Sequence, residues 1–216
     1  MGGGGQPGAI PHTLSAHACV DFVNSRFTDH TGGDAVYDRL DMPEWRRWFA
    51  QRCGVTVREP LRAAERRELI ALRDLLRRLL ESRTAPDDAA VAALDHHLLR
   101  ASASWRLHPK DDTFELQLRW REDGWRAVMA VVAASYADML VTGALDRVRV
   151  CANPSCSYMF HDESRNGSRR WCDVAVCGNL VKVRRHRIRA VRAGAKRPHA
   201  GGRSESAGSR RAGPRG

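Results

Sequence analysis

Apolar positions along this chain change their period several times, and each change marks a predicted element. From Arg58 to Arg83 they fall at Leu61, Leu69, Leu72, Leu75, Leu76, Leu79 and Leu80, the spacing of a helix face. Upstream, Pro43-Glu44-Trp45-Arg46-Arg47-Trp48-Phe49 opens with a proline and an acid, which suit a helix's first turn. Pro86-Asp87-Asp88 opens another helix, running through Leu94 and Leu98 to about Ala101. The period then drops to two. Phe114, Leu116, Leu118 and Trp120 alternate with Glu115, Gln117 and Arg119, the pattern of a half-buried strand. Ser104 to His108 is its expected hairpin partner, joined through Pro109-Lys110-Asp111-Asp112. Helical spacing returns after Gly124, where Trp125, Val128, Met129, Val131, Val132, Tyr136 and Leu140 are predicted to be largely core. Arg147-Val148-Arg149-Val150 reads as a short strand.

The predicted fold class is therefore mainly α, with a minor α+β component. Residues 12–145 suffice for one hydrophobic core and form a helical domain with a small β-hairpin. A hinge near Thr142–Leu145 leads to a second module at 146–193. Residues 1–11, rich in glycine, read as a flexible N-terminus. Residues 194–216, dominated by Gly, Ser, Ala, Pro and Arg, read as a disordered basic tail, since such a composition buries no core.

Charge sharpens this division. The chain carries 36 Lys or Arg and 25 Asp or Glu, a formal net charge of +11. Residues 178–216 hold twelve of the bases and one of the acids, Glu205, so the whole excess lies there and residues 1–177 are neutral. So one-sided a distribution points to nucleic acid or another anionic surface as partner. The stretch Asn179 to Ala193 is predicted to be a helix once its start is held. Leu180, Val183, Ile188 and Val191 would form a narrow apolar seam docked on the preceding module, with Lys182, Arg184, Arg185, Arg187, Arg189 and Arg192 over the other faces. Guanidinium groups so placed suit phosphates, or guanine edges in a major groove.

Candidate chemistry sits just before that helix. Cys151 and Cys156, then Cys172 and Cys177, make two C-x4-C pairs separated by fifteen residues. Two short knuckles at this spacing can converge on one tetrahedral Zn²⁺ held by four thiolates. Asn153 and Pro154 fold the first knuckle back, and Gly178 is suited to a positive φ at the exit of the second. Asn166-Gly167 is the strongest short hairpin signal, flanked by Tyr158-Met159-Phe160 and Trp171. The plan is that of a zinc ribbon. Two disulfides or four free thiols are the alternatives. Disulfides need an oxidising compartment, whereas Met1 to Gly8 lacks the apolar core of an export signal, so a cytoplasmic location is expected. His161 and His186 stand by as substitute ligands; an ordinary surface role is the plainer expectation for both.

The segment Arg147 to Arg189, with CANPSC, SRNGSRRWC, CGN and KVRRH, resembles the CGNR-type zinc finger of bacterial transcription regulators. His17-Ala18-Cys19-Val20-Asp21-Phe22-Val23-Asn24-Ser25 resembles the start of the ABATE domain that precedes this finger in the family. Together they cover most of residues 12–190. The resemblance implies regulation of transcription linked with stress. One departure is plain: Leu180 stands where the family's motif has its arginine.

Enzymatic chemistry finds little support. No phosphate-binding glycine loop, G-x-S-x-G or H-E-x-x-H occurs, and a closed four-cysteine site lacks the open position of catalytic zinc. Asp21 and Asn24 are spaced to cap or start a helix, His96-His97 reads as a surface pair, and Cys19 and Cys53 as core thiols. No apolar run reaches the length of a membrane span. The reading favoured is a DNA-binding regulator, not an enzyme. Its zinc finger and basic helix would contact DNA through Arg165, Arg169, Arg170, Lys182, Arg184, Arg185, Arg187 and Arg189, while the N-terminal domain senses a small-molecule effector or mediates assembly. RNA binding is the runner-up, and a zinc-dependent protein-interaction module the third reading.

Overall fold

A computed structural model describes residues 17–29, 35–121 and 123–195. The expected flexible N-terminus, and the basic tail from residue 196 on, lie outside the described residues.

The core is built around α5 (Trp125–Val141). This helix is apolar on nearly every side, and twelve of its residues are buried, which is what an all-round apolar helix requires. Against it pack α1 (Ala18–Val23), α3 (Ala63–Ser82) and α4 (Asp88–Leu99). In α3 the predicted leucines supply the buried face at Leu69, Leu72, Leu76, Leu79 and Leu80, and the helix ends at Arg83 in left-handed conformation. The α2 helix (Pro43–Arg52) begins at Pro43 as expected and buries Phe49 and Ala50. Two buried arginines stiffen this part. Arg73 on α3, 3% exposed, meets both Asp38 carboxylate oxygens at 2.7 and 2.8 Å and Ser25 Oγ at 2.9 Å. Arg46 on α2 pairs with Glu59 through two nitrogens and donates to Leu40 O at 2.6 Å.

Three antiparallel two-stranded sheets decorate the helices. The first, β1 (Arg26–Asp29) with β2 (Ala35–Asp38), had no clear sequence signal. The second is the expected hairpin, β3 (Ala103–Lys110) with β4 (Thr113–Trp120), pairing Leu107 with Leu116 and Pro109 with Phe114. Its alternation is as predicted, but its placement differs. Trp105, Leu107, Phe114 and Leu116 are all at least half exposed, while its base packs on the core through Trp120. The third, β5 (Val148–Val150) with β6 (Met159–His161), belongs to the C-terminal module.

Asn24 caps α1 at its C-terminal end, one of the two roles expected of it. The chain leaves α5 at Thr142, where a hinge is expected. A short 3-10 turn over Ala144–Arg147 runs directly into β5, and Val148 and Met159 join the N-terminal hydrophobic core. After the cysteine module a π-helical turn (Val174–Gly178) continues without a break into α6 (Asn179–Ala195).

Candidate metal centre and basic helix

Cys151 follows β5, and its amide donates to Tyr158 O at 2.9 Å, so the first knuckle is the tip of the β5–β6 hairpin. Asn153 shapes it from inside. Fully buried, it accepts from the Ser155 amide at 3.3 Å, while its carbonyl accepts from the Cys156 amide at 2.8 Å. Its side-chain amide also points at Cys177 Sγ, 3.6 Å away, which suits a thiolate. Asn153 had been read as a turn former alone.

The second knuckle is held differently. Asp173 accepts from the Val176 amide at 2.9 Å and starts the π-helical turn that carries Cys177. Gly178 does not take a positive φ. Its need for glycine comes from close approach: a Cβ there would lie 3.3 Å from the Trp171 indole. Asn179 Nδ2 donates to Ala175 O at 2.8 Å. Asn166-Gly167 does form a turn, with Gly167 at φ +58°, but no described strands flank it. The ribbon's hairpin is β5–β6 instead. Asp162, inaccessible to solvent, pins the intervening loop by accepting from Ser164 N, Ser164 Oγ and Arg169 N, and the Ser164 hydroxyl leads in holding its carboxyl below the usual range.

These supports bring the four sulfurs together, all within 4.8 Å of one another. Cys156 and Cys172 are 3.8 Å apart, and Cys172 and Cys177 3.5 Å. A disulfide needs about 2.05 Å, and all six described cysteines are unbonded. A tetrahedral ion with ligands at roughly 2.3 Å places its sulfurs about 3.8 Å apart. The observed separations fit that geometry. So does the electrostatics. Hydrogen bonding from Cys172 pulls the Cys156 thiol down to about 5, and that same contact pushes Cys172 up. Burial raises Cys177 to about 11. Sulfurs this close cannot all ionise by themselves, and the cluster has the chemistry of a metal-binding site.

Arg165, Arg169, Arg170, Lys182, Arg184, Arg185, Arg187 and Arg189 are all exposed, but not equivalent, and the side chain of Arg192 lies outside the described ones. Every described side chain from Lys182 to Val191 is exposed, and α6 contains no acid. Arg184 reaches back to Ser155 Oγ at 2.8 Å. Arg169 is committed to the module: it donates to Trp171 O and Cys172 O and lies over the Phe160 ring. Arg170 lies over Trp171, 5.3 Å from its centroid. The apolar seam does not dock as predicted. Val181 is buried, but Val183, Ile188 and Val191 are 47%, 52% and 72% exposed. The helix is buried at its root through Val181, and farther along it Arg184 still reaches the module at Ser155.

Sequence reasoning did not foresee how the cysteine module is mounted on the N-terminal domain. Asn24, 3% exposed, donates to Met159 O at 2.8 Å and accepts from Met159 N at 2.9 Å. Arg39 donates to Tyr158 Oη at 2.7 Å, Arg77 to Ser157 O at 3.2 Å and Arg83 to Val148 O at 3.1 Å. A cleft of about 340 Å³ opens at this seam, lined by Asp21, Arg39, Trp45, Trp48 and Tyr158. Asp21 there pairs with Arg52 at 3.1 Å.

Helical domain, four-cysteine cluster and basic helix together have the plan of a zinc-finger protein. Residues 16–143 match the ABATE family, described as "Putative stress-induced transcription regulator", and residues 147–190 match the CGNR zinc finger. The chain belongs to the ABATE family. No curated protein matches it as a relative. No helix among the described residues is long and apolar enough to cross a membrane.

Proposed function

We propose that this protein is a DNA-binding transcription regulator in which a structural Zn²⁺, held by Cys151, Cys156, Cys172 and Cys177, anchors a DNA-contacting helix. The observation that carries the reading is α6 itself, a helix without acids, exposed along Lys182–Val191 and rooted directly on the cysteine cluster. At 1.5 Å per residue it spans about 25 Å, and an α-helix fits a DNA major groove. Bound zinc would supply the charge that lets all four thiols ionise, and with it much of the folding free energy of so small a module. The chain's own residues then hold the direction: Asp173 and Asn179 shape the helix root, and Gly178 lets it close on Trp171.

Lys182, Arg184, Arg185, Arg187 and Arg189 are the contacts to test first, with Arg165 and Arg170 on the loop. Arg169 contributes its field while its guanidinium braces Cys172. The N-terminal domain would sense an effector or mediate assembly, and the aromatic-lined seam cleft is where a ligand would meet both parts. This reading is non-enzymatic. The decisive measurement is binding of zinc-loaded full-length protein to duplex DNA across a salt series. About six phosphate contacts give a log–log slope near −5, at roughly 0.9 per contact. No salt-dependent binding at low ionic strength would overturn the proposal, and preference for single-stranded RNA would install the runner-up.

A further inference from the structure

A second cluster of ligating side chains lies at the seam, apart from the cysteines. His17 directly precedes α1, His161 closes β6, and Glu163 follows two residues later. One ligand atom from each lies within 4.8 Å of the others. The two imidazoles stack, with centroids 4.1 Å apart and planes 22° off parallel.

Three features of this cluster are unusual. Both ring nitrogens of His161 are buried and neither makes a hydrogen bond of normal geometry, although the Ala144 backbone lies close enough to interact with the ring. Buried polar atoms without a partner are rare, and each costs on the order of 1–3 kcal/mol. The His17 imidazole is held against it, half-buried and stacked, so two nitrogen donors already lie side by side. Finally, the donors come from both sides of the seam: His17 from the ABATE segment, His161 and Glu163 from the finger segment.

We infer that His17, His161 and Glu163 form a second binding site, for a divalent transition-metal ion that clips the finger to the N-terminal domain. Two imidazoles and one carboxylate are a borderline donor set that suits Zn²⁺, Ni²⁺, Co²⁺ or Fe²⁺ rather than Ca²⁺ or Mg²⁺. Ligand distances near 2.0–2.2 Å ask the three groups to close inward by roughly 1 Å, which rotation of the exposed Glu163 and half-buried His17 can supply. Water completes the shell on the Glu163 side. Such a site is a more open one than the cysteine cluster and holds its ion less tightly, so its occupancy follows the free metal concentration while the cysteine site stays filled. The binding claim stands whether or not α6 contacts DNA.

The test uses full-length protein with the cysteine site filled by one equivalent of cobalt, whose thiolate charge-transfer absorption reports on that site alone. Further cobalt is then added under equilibrium dialysis. We expect a second ion per chain, adding no thiolate band. Glu163→Gln should bind it at least about tenfold more weakly, and His17→Gln with His161→Gln should abolish it, while the thiolate band persists in each. A total of one ion per chain at saturating cobalt overturns the inference, as does a second ion retained by both variants. Should the histidine double variant lose its thiolate band through misfolding, the exposed Glu163→Gln decides the matter: unchanged second-site affinity there also overturns it.

Discussion

At the residue scale, the largest effects belong to side chains that carry charge into the interior. Arg73 is almost wholly enclosed, and Asp38 neutralises it through two hydrogen bonds. Asp38→Asn leaves a buried cation unbalanced, and the expected loss is about 3–5 kcal/mol in urea denaturation. The same pair, with Arg46–Glu59, sets an acid limit. Burial by itself would raise the Asp38 carboxyl, but hydrogen bonds from Arg73 and from the Leu40 amide outweigh it. At Glu59 the hydrogen bond from Arg46 leads, and it too lies below its usual value. Carboxyls depressed by folding contribute stability above their unfolded values, near 3.9 and 4.3, and lose it as pH falls through the folded ones. Urea midpoints should therefore hold from neutrality to about pH 5 and drop below about pH 4. In Glu59→Gln, already weaker at pH 7, the drop should be shallower. Cys172→Ser should remove the metal from the cysteine cluster, measured by elemental analysis of reductively purified protein. Full metal content in that variant would sink the ligand assignment.

At the element scale, the sequence was most legible where one physical requirement governs. Helical leucine spacing located α3 because its buried face touches protein along its whole length. Paired cysteines located the four-sulfur cluster because each C-x4-C pair sets two thiols on one short knuckle. The hairpin and α6 were legible as elements but not in their placement. Alternation in β3–β4 shows which side chains share a face, and says nothing of whether that face is covered. Likewise the apolar seam of α6 is a real periodicity, yet Val183, Ile188 and Val191 on it lie exposed. The β1–β2 pair was missed because its strands are four residues each and β2 is largely exposed, and the role of Asn24 because its partner Met159 is remote in sequence. These placements lead to opposite expectations. Leu107→Ser with Leu116→Ser should change stability by less than about 0.5 kcal/mol each, as exposed substitutions do, against about 2–5 kcal/mol for Met139→Ala in the core. In α6, Arg184→Ala with Arg185→Ala should flatten the salt slope of DNA binding by about two units, while circular dichroism and metal content stay unchanged.

At the scale of the whole molecule, the two parts are one folded body rather than a domain with a tethered finger. Val148 and Met159 lie in the N-terminal core, and four N-terminal side chains reach backbone or hydroxyl groups of the finger. A chain ending at Leu145 strips away these partners and should unfold at lower urea than the full-length protein. Zinc withdrawal should act through the same seam, lowering the midpoint of the N-terminal helices as well as melting the knuckles. Asn24 gives this union a further meaning. Its side-chain amide meets the Met159 backbone with one donor and one acceptor, as a neighbouring strand would. In effect it caps the open edge of β6, and a bare edge is a template for pairing with another molecule. In Asn24→Ala the penalty should appear less in the folded protein's activity than in its colloidal behaviour. Light scattering on a concentrated sample should grow with time, and faster when chelator has loosened the finger. Asn24 is thereby expected to guard a strand edge as well as to join the two parts.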